Sequence, residues 1–331
     1  MPLLLTEAEV KSILTMPLAL EAVEDSFRRL ADGSALLHSR QRLHVPGKSY
    51  LHYMAAADAT CGYMGMKIYT SAKEGLRFLV PLFDAASGEL LALIEADYLG
   101  QMRTGAASGV ATRAMARPES RWVGIIGTGL QARTQLEAIA LVRKIERIHA
   151  FSRSAEKREA FAKEMAARLN VPVIAVGSAE EVVRDADILV TSTTSTAPMV
   201  EGRWLKPGVH INAIGANFPQ KRELDDDAVR RADVIAVDSR EQGRIEAGDL
   251  IHGLGGNASR WAAVRELADI VAGKIPGRES PKQITLFKSS GIATEDVVTA
   301  GRIYELARDR KIGRQVQMWE KEARAVEGRG V

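Results

Sequence analysis

Arg121-Trp-Val-Gly-Ile-Ile-Gly127-Thr-Gly129-Leu-Gln-Ala132 is the stretch on which the reading of this chain turns. Val123 to Ile126 is a short apolar run rich in β-branched residues, the pattern of a buried strand. Gly127-Thr128-Gly129-Leu130-Gln131-Ala132 follows at once, and residues 133–142 have the composition of a helix. A glycine at 127 permits a tight turn, and one at 129 lets backbone N–H groups approach a pyrophosphate. A small side chain at 132 lets helix and strand pack closely. The helix N-terminus adds positive dipole and free N–H donors for the anion. A bare GxGxxA also occurs as an ordinary sharp turn; its place between a buried strand and a helix selects the dinucleotide-binding reading.

Downstream, strand and helix patterns alternate. Strands are expected near 122–126, 147–152, 171–176, 187–192, 209–214 and 233–238, with helices over 154–169, 179–185 and 225–232 between them. That alternation predicts an α/β fold, a Rossmann-type doubly wound parallel sheet. After 239 the chain reads as helical with glycine-rich interruptions, then a last strand over 285–287. An amphipathic helix over 294–310, with Val297, Val298, Ile303 and Leu306 apolar, is expected to pack back on the first domain. The basic tail beyond 311 reads as a solvated, frayed end.

Upstream the period changes. Thr6 and Glu9 have the spacing of a capping box, and a helix from Pro17 carries Leu20, Val23, Phe27 and Leu30 on one stripe. Residues 39–45, 50–54, 64–70, 77–84 and 90–95 alternate with period two, which predicts a curved, mostly antiparallel sheet in an α+β domain. Alternation puts Arg40, Arg42 and His44 on one face, and Gly65, Lys67 and Tyr69 on the face away from Met66 and Ile68. Exposed basic side chains are usually solvated; a lysine and an arginine on polar faces of neighbouring strands also suit a carboxylate. A helix over 97–117 aligns Gly100, Arg103, Ala107 and Ala111, and its run of small residues at 105–109 admits a close neighbour. Arg103 in so tight a setting needs a partner, either an internal carboxylate or the anionic end of a substrate.

Composition bounds the alternatives. A chain of 331 residues suggests two domains, and 46% apolar with 26% charged residues is ordinary for a globular protein. A formal charge of +3 without a long basic run argues against nucleic acid as a partner. The single cysteine, Cys61, leaves no internal disulfide and no multi-cysteine metal site, and no metal is expected. Because no apolar run approaches a membrane span and the first residues lack the pattern of an export signal, a cytoplasmic protein away from membranes is the expectation.

The second strand of the dinucleotide unit decides the cofactor. NAD-selective folds place an acid at its end to bind the ribose hydroxyls. Here the strand ends in Ser152 and Arg153, with Lys157 and Arg158 close behind. A hydroxyl and a guanidinium suit a 2′-phosphate, so NADP(H) is expected over NAD(H), with NAD(H) as the alternative.

The chain resembles the ornithine cyclodeaminase / mu-crystallin family along nearly its whole length. The matching segments are Met64-Gly-Met-Lys67, residues 90–95, Gln101-Met-Arg103-Thr104-Gly-Ala-Ala-Ser108 and the 124–132 turn. They continue with residues 187–194, Ala213-Ile-Gly-Ala-Asn217, Lys221-Arg-Glu-Leu224 and Phe287-Lys-Ser-Ser-Gly291. The resemblance implies a dinucleotide domain over 119–294 inserted in a substrate-binding and dimerisation domain, 1–118 with 295–331, and a homodimer. It also implies chemistry at the α-carbon of a small α-amino or α-imino acid, whose carboxylate is gripped by a lysine and two arginines. By motif these are Lys67, Arg103 and an arginine of the strand before the first turn. Arg42 fits best by its following residues, and Arg40 lies on the same face. Cofactor contacts are expected from Thr104, the 127–132 turn, Ser152, Arg153, Thr191, Ser192, Thr193, Ser290 and Gly291.

One departure stands out. Cyclodeaminases of the family carry an aspartate where this chain has Asn217, and an amide cannot act as a base. Hydride transfer to an imine, or its reverse, is therefore expected: reduction of an α-imino or cyclic ketimine carboxylate of the pyrroline- or piperideine-2-carboxylate type, or an alanine-type dehydrogenase. Ornithine cyclodeamination is the runner-up, and an NADPH- and ligand-binding protein without turnover is the reading from another class. Lys67 could supply the proton if Arg42 and Arg103 lower its pKa, with water as the rival. Tyr50, His52, Tyr53, Met54 and Tyr69 could line the substrate pocket, or be core or interface.

Overall fold

The computed structural model describes residues 1–73 and 75–319. The chain opens with β1 (Leu3–Leu5), α1 (Glu7–Ile13) and α2 (Met16–Asp32). A meander follows: β2 (Ala35–Val45), β3 (Ser49–Asp58), β4 (Tyr63–Ala72), β5 (Gly75–Asp84) and β6 (Leu90–Glu95), then α3 (Asp97–Met115). The second half begins β7 (Trp122–Ile126), α4 (Leu130–Val142), β8 (Arg147–Phe151), α5 (Ala155–Leu169), β9 (Val173–Ala175), α6 (Ala179–Asp185), β10 (Ile188–Thr191) and β11 (His210–Ala213). It continues α7 (Asp226–Arg231), β12 (Val234–Val237), α8 (Arg240–Glu246), α9 (Gly248–Leu254), α10 (Ala258–Ala262), β13 (Arg265–Glu266), α11 (Leu267–Val271) and β14 (Thr285–Lys288). The last elements are α12 (Ala293–Arg310) and β15 (Arg314–Gln315).

Two sheets result. The first, in order β15-β1-β6-β5-β4-β3-β2, is antiparallel except where β1 lies parallel to β6. The second, in order β13-β12-β14-β11-β10-β7-β8-β9, is parallel throughout. Its strand order reverses between β7 and β10, so a crevice opens beyond Ile126 and Thr191, where ligands of such sheets bind. Helix α12 returns to the first sheet, where Val297, Ala300 and Ile303 join Val23, Phe27, Met54, Val80, Leu82 and Ile94 in one core. Each large apolar side chain so buried contributes roughly 1.5–3 kcal/mol.

Two local expectations change. Leu3–Leu5, too short to show alternation, is a strand because Leu3, Leu4 and Leu5 pair with Ala92, Leu93 and Ile94. The start of the tail is not frayed: Arg314 and Gln315 pair with β1, and Val316 N donates to the Pro2 carbonyl. The free edge of β1 supplies partners that the tail lacks on its own. Residues 320–331, assigned from sequence to the substrate domain and its basic tail, lie outside the described residues.

Helix α3 joins the halves and is almost wholly buried. A Cβ at Gly105 would lie 2.5 Å from the Thr134 carbonyl, so α4 crosses it at backbone contact. On its other side a polar seam ties it to the second sheet. Thr112 Oγ1 accepts from Asn212 Nδ2 at 2.9 Å; His210 lies 3.2 Å from Asn212 Oδ1 and 2.9 Å from Thr285 Oγ1. Burial, with the Arg278 charge nearby, pushes the His210 imidazole down to about 3. Unfolded, it titrates near 6.5. A neutral native imidazole that the unfolded chain protonates stabilises the fold above about pH 6.5, and that stability is lost as pH falls toward 3. Urea midpoints should therefore fall as pH drops from about 7 to 5, and His210→Gln should flatten that slope; a slope unchanged in the variant would contradict this role for His210.

Candidate active site

A cavity of about 610 Å³ has walls from both halves. Arg40 on β2, Lys67 on β4 and Arg103 on α3 form its cationic side. All three are buried, at 6%, 3% and 5% exposure. Strand alternation brings Lys67 inward, and its register partner on β3 is the core residue Met54.

Each cation has a carboxylate that is not part of the cavity wall. Asp296 Oδ1 accepts from Lys67 Nζ and from Arg103 Nε, both at 3.0 Å, and Glu295 Oε2 accepts from Arg103 Nη1 at 2.7 Å. Glu246, fully buried on α8, takes Arg40 on one oxygen and Arg42 on the other. Arg40 also donates to the carbonyls of Ser290 and Gly291 at 2.9 and 3.1 Å. Gln242 bridges the same groups, donating to Glu246 at 2.7 Å and to the Gly291 carbonyl at 2.8 Å. The internal carboxylate that Arg103 needed is thus present twice.

Of the two arginines on β2, Arg40 lies in the cavity wall and Arg42 does not. Arg42 donates to the Asn217 carbonyl at 3.0 Å and sits 4.5 Å from the centre of the Phe218 ring. Pairing of β2 with β3 shifts register between His38 and Gln41, next to Arg40. Such an irregularity re-aims side chains in a way period-two reasoning cannot anticipate.

The rest of the wall is aromatic or belongs to the dinucleotide turns. His52 stacks on Tyr69 with ring centres 4.2 Å apart, Tyr69 on Phe78 at 4.9 Å, and Phe218 meets His52 edge-on. Tyr50 stacks on His52 from outside the wall, Met54 is core, and Tyr53 lies on the opposite face of the sheet. Opposite come Gly129, Leu130 and Gln131, Ser192 and Thr193, Asn217, Thr104, Ser290 and Gly291.

Two glycines are required by their surroundings. Gly127 has φ +104°, and a Cβ there would strike the Ser192 carbonyl. Gly291 has φ +76°, and a Cβ would strike the Arg103 guanidinium. At Gly129 a Cβ would meet nothing within 4 Å among the described residues, so the turn leaves open space before the N-terminus of the 13-residue helix α4. That space and that helix end fit a pyrophosphate. Ala132 is fully buried. Thr191 is also fully buried and donates to Glu223 at 2.9 Å rather than facing the cavity. Thr128 Oγ1 lies 3.1 Å from Ser152 Oγ, beside the exposed Arg153, and none of the three is part of the wall.

Electrostatics follow from burial among like charges. Burial first, then Arg103, pulls the Lys67 ammonium down to about 8. Burial, then Arg42 and Arg40, holds His52 at about 4, so its ring is neutral at pH 7. Burial raises the Cys61 thiol to about 11, which leaves it inert. Among the described residues no group of three or more His, Cys, Asp or Glu side chains is placed to hold a metal, and no helix is long and apolar enough to cross a membrane.

Sequence reasoning missed the acids. Glu295 and Asp296 begin a helix, where acids ordinarily complement the dipole in solvent. Glu246 falls in a charged stretch that reads as surface. Asp238 accepts from Ser289 Oγ and from the N–H groups of Ser290 and Gly291. Glu223 accepts from the N–H groups of Thr193 and Gly215. Asp238 and Glu223 thereby shape loops of the wall from behind; of these acids, only Glu223 lay inside a segment, residues 221–224, that resembled the family.

Comparison with known proteins agrees with this architecture. Residues 1–311 match the ornithine cyclodeaminase/mu-crystallin family. The chain is 38% identical over 262 residues to a Δ1-pyrroline-2-carboxylate reductase of Bacillus cereus, covering 77% of this chain and 80% of that one. It superposes, with a TM-score of 0.91 and 36% identity, on Thermococcus litoralis Δ1-pyrroline-2-carboxylate reductase in complex with NADH and L-proline, over 95% of this chain and all of that one. An archaeal alanine dehydrogenase dimer with bound NAD gives a TM-score of 0.88 at 33% identity, over 96% and 99% of the two chains. With 311 residues matched by the family model and the fold superposing over nearly the whole chain, this chain belongs to the ornithine cyclodeaminase/mu-crystallin family.

Proposed function

We propose that this protein is a pyridine-nucleotide-dependent oxidoreductase that reduces a small α-imino or cyclic ketimine carboxylate, with alanine-type amino-acid dehydrogenation as the same chemistry using ammonia. The observation that carries the reading is the shared cavity: Arg40, Lys67 and Arg103 face the same space as the Gly129 and Ser192 turns. Arg40 and Arg103 bind the substrate carboxylate, and Arg42 acts behind them through Glu246 and Phe218. The His52, Tyr69, Phe78 and Phe218 rings form an apolar slot for a flat five- or six-membered ring. When bound, a reduced nicotinamide supplies hydride to the imine carbon. Lys67, titrating near 8, is mostly an ammonium ion at pH 7 and gives the imine nitrogen its proton. The amide of Asn217 cannot serve the amine chemistry of ring closure, so ornithine is not the substrate.

NADP(H) is the preferred cofactor in this reading. No acid ends β8; Ser152 and Arg153 stand there, and Arg158 lies over the Phe151 ring at 5.7 Å. The protein also acts as a homodimer. The outer face of the first sheet carries exposed Leu43 and Leu51 beside half-buried Tyr53, Met66, Ile68 and Leu79, an apolar face of the kind that a second copy covers. The dimeric alanine dehydrogenase relative supports this.

A panel of cyclic imines, and of 2-oxo acids with ammonia or methylamine, should show NADPH oxidation with Δ1-pyrroline-2-carboxylate or its six-membered homologue, and no ammonia from ornithine. Lys67→Met should lower kcat by about 10²–10⁴; near-wild-type kcat in that variant would refute the proton donor. For wild type, reductive kcat should fall as pH rises through about 8, because the acid form of Lys67 is then lost. Arg153→Ala should raise KM for NADPH about 10-fold and leave KM for NADH alone, as loss of a charged hydrogen bond does; equal use of both cofactors by wild type removes the preference. Light scattering should give twice the chain mass for wild type and the single mass for Leu51→Glu, and a monomeric wild type would end the dimer reading.

A further inference from the structure

Lys67 Nζ is buried beside two other cations, which favours its neutral form. Arg103 from α3 and Arg40 from β2 face it, and burial acts in the same direction. Around the wall stand His52 on β3, Tyr69 on β4, the Phe78 ring on β5 at 5.2 Å, and the exposed Asp97 at the start of α3. Glu246 is engaged by Arg40 and Arg42, Asp238 by the 289–291 turn, and Glu295 by Arg103. That leaves Asp296. Among the described residues it is the hydrogen-bond partner of the amine, at 3.0 Å, and the same oxygen takes Arg103 Nε at 3.0 Å. It is fully buried, and among the described residues its second oxygen has no hydrogen-bond partner. On the far side a Cβ at Gly100 would lie 2.9 Å from Nζ, so any side chain there would push the amine from its place.

We propose that Asp296 is the positioning residue of this site: one carboxylate oxygen shared by Lys67 and Arg103 keeps the lysine an ammonium ion and fixes its direction beside the carboxylate-binding arginine. The proposal rests on the reading of Lys67 as proton donor. In reduction the imine carbon gains a hydride from the dinucleotide and the nitrogen gains a proton from Nζ, leaving a neutral amine that solvent reprotonates. In the oxidative direction the neutral amine takes that proton back. Asp296 is not part of the cavity wall, so it touches neither reactant and acts through Lys67 and Arg103. Two neighbouring acids at the head of α12 divide the work, because consecutive helical residues point about 100° apart. Glu295 serves the arginine alone, and Asp296 serves the arginine and the lysine.

The test is the pH profile of kcat with Δ1-pyrroline-2-carboxylate and NADPH, and with L-proline and NADP⁺, in wild type and in D296N, D296E and K67M. Asp296→Asn keeps the volume and an acceptor oxygen and removes only the charge. Its alkaline limb in reduction should move down by about one pH unit or more, and its acid limb in oxidation should move down with it, because an opposite charge at this range shifts a pKa by roughly 1–3 units. Asp296→Glu should leave both limbs near wild type with lower kcat. Nucleotide affinity, read by fluorescence, should be unchanged in both. A uniform loss of kcat in D296N with its limbs unmoved would overturn the assignment while leaving Lys67 as donor. Should D296N not fold, displaced limbs in D296E would overturn it equally. Activity retained by K67M would instead remove the donor itself.

Discussion

Holding Arg40, Lys67 and Arg103 together in one buried wall is the constraint around which both halves of the molecule are arranged. Taking a single charge out of water costs several kcal/mol unless it is paired and hydrogen-bonded, and three like charges also repel one another. The structure answers with carboxylates that stand behind the cations and outside the cavity wall. Glu246 is shared by Arg40 and Arg42, Asp296 by Lys67 and Arg103, and Glu295 hydrogen-bonds Arg103; none of the three acids lines the cavity. In the proposed reading an incoming carboxylate would meet donors already aimed and desolvated, with little reorganisation left for the moment of reaction.

These counter-charges come from far along the chain, which makes the site a product of the domain arrangement. Lys67 and Asp296 are separated by 229 residues and Arg40 and Glu246 by 206. Glu246 sits on α8, among the elements of the parallel sheet, and Arg40 on β2 of the antiparallel sheet, so their ion pair ties the two halves together. The turn at 289–291 does the same from the end of β14. Asp238 holds its amides, its carbonyls receive Arg40, and Gly291 leaves just enough room for the Arg103 guanidinium. The crevice of the parallel sheet and the cationic wall are thus set relative to each other by a few buried polar contacts, supported by the α3 seam through Thr112, Asn212 and His210.

The burial that concentrates charge also tunes it. A lysine in water near pH 7 is a poor acid, whereas one drawn down to about 8 by burial and by Arg103 can part with its proton. His52, in the same wall, is driven so low that it serves as a flat neutral surface stacked on Tyr69. One field therefore leaves two basic side chains in different states: the histidine is neutral under burial, Arg42 and Arg40, while the lysine, drawn down to about 8, is hydrogen-bonded to Asp296.

Local pattern carried the sequence reading far. Period two over residues 39–95 marked the antiparallel meander, and alternation after 119 marked the parallel sheet, because strand and helix periodicities are properties of neighbouring residues. The Gly127–Ala132 turn was legible for the same reason, since its function depends on small residues at fixed offsets between a strand and a helix. Lys67 and Arg103 were found through short segments that resemble a family. What stayed hidden depended on distance along the chain. The choice between Arg40 and Arg42 turned on an irregularity in strand pairing, and the strands at Leu3–Leu5 and Arg314–Gln315 exist because each completes another's edge. The acids Glu246, Glu295 and Asp296 look like ordinary surface charges until folding buries them against cations some two hundred residues away. Sequence alone determined the main alternation of strands and helices and the small-residue turn at 127–132; only the tertiary structure decided the edge strands and which charges meet, because a pairing across distant segments has no local signature.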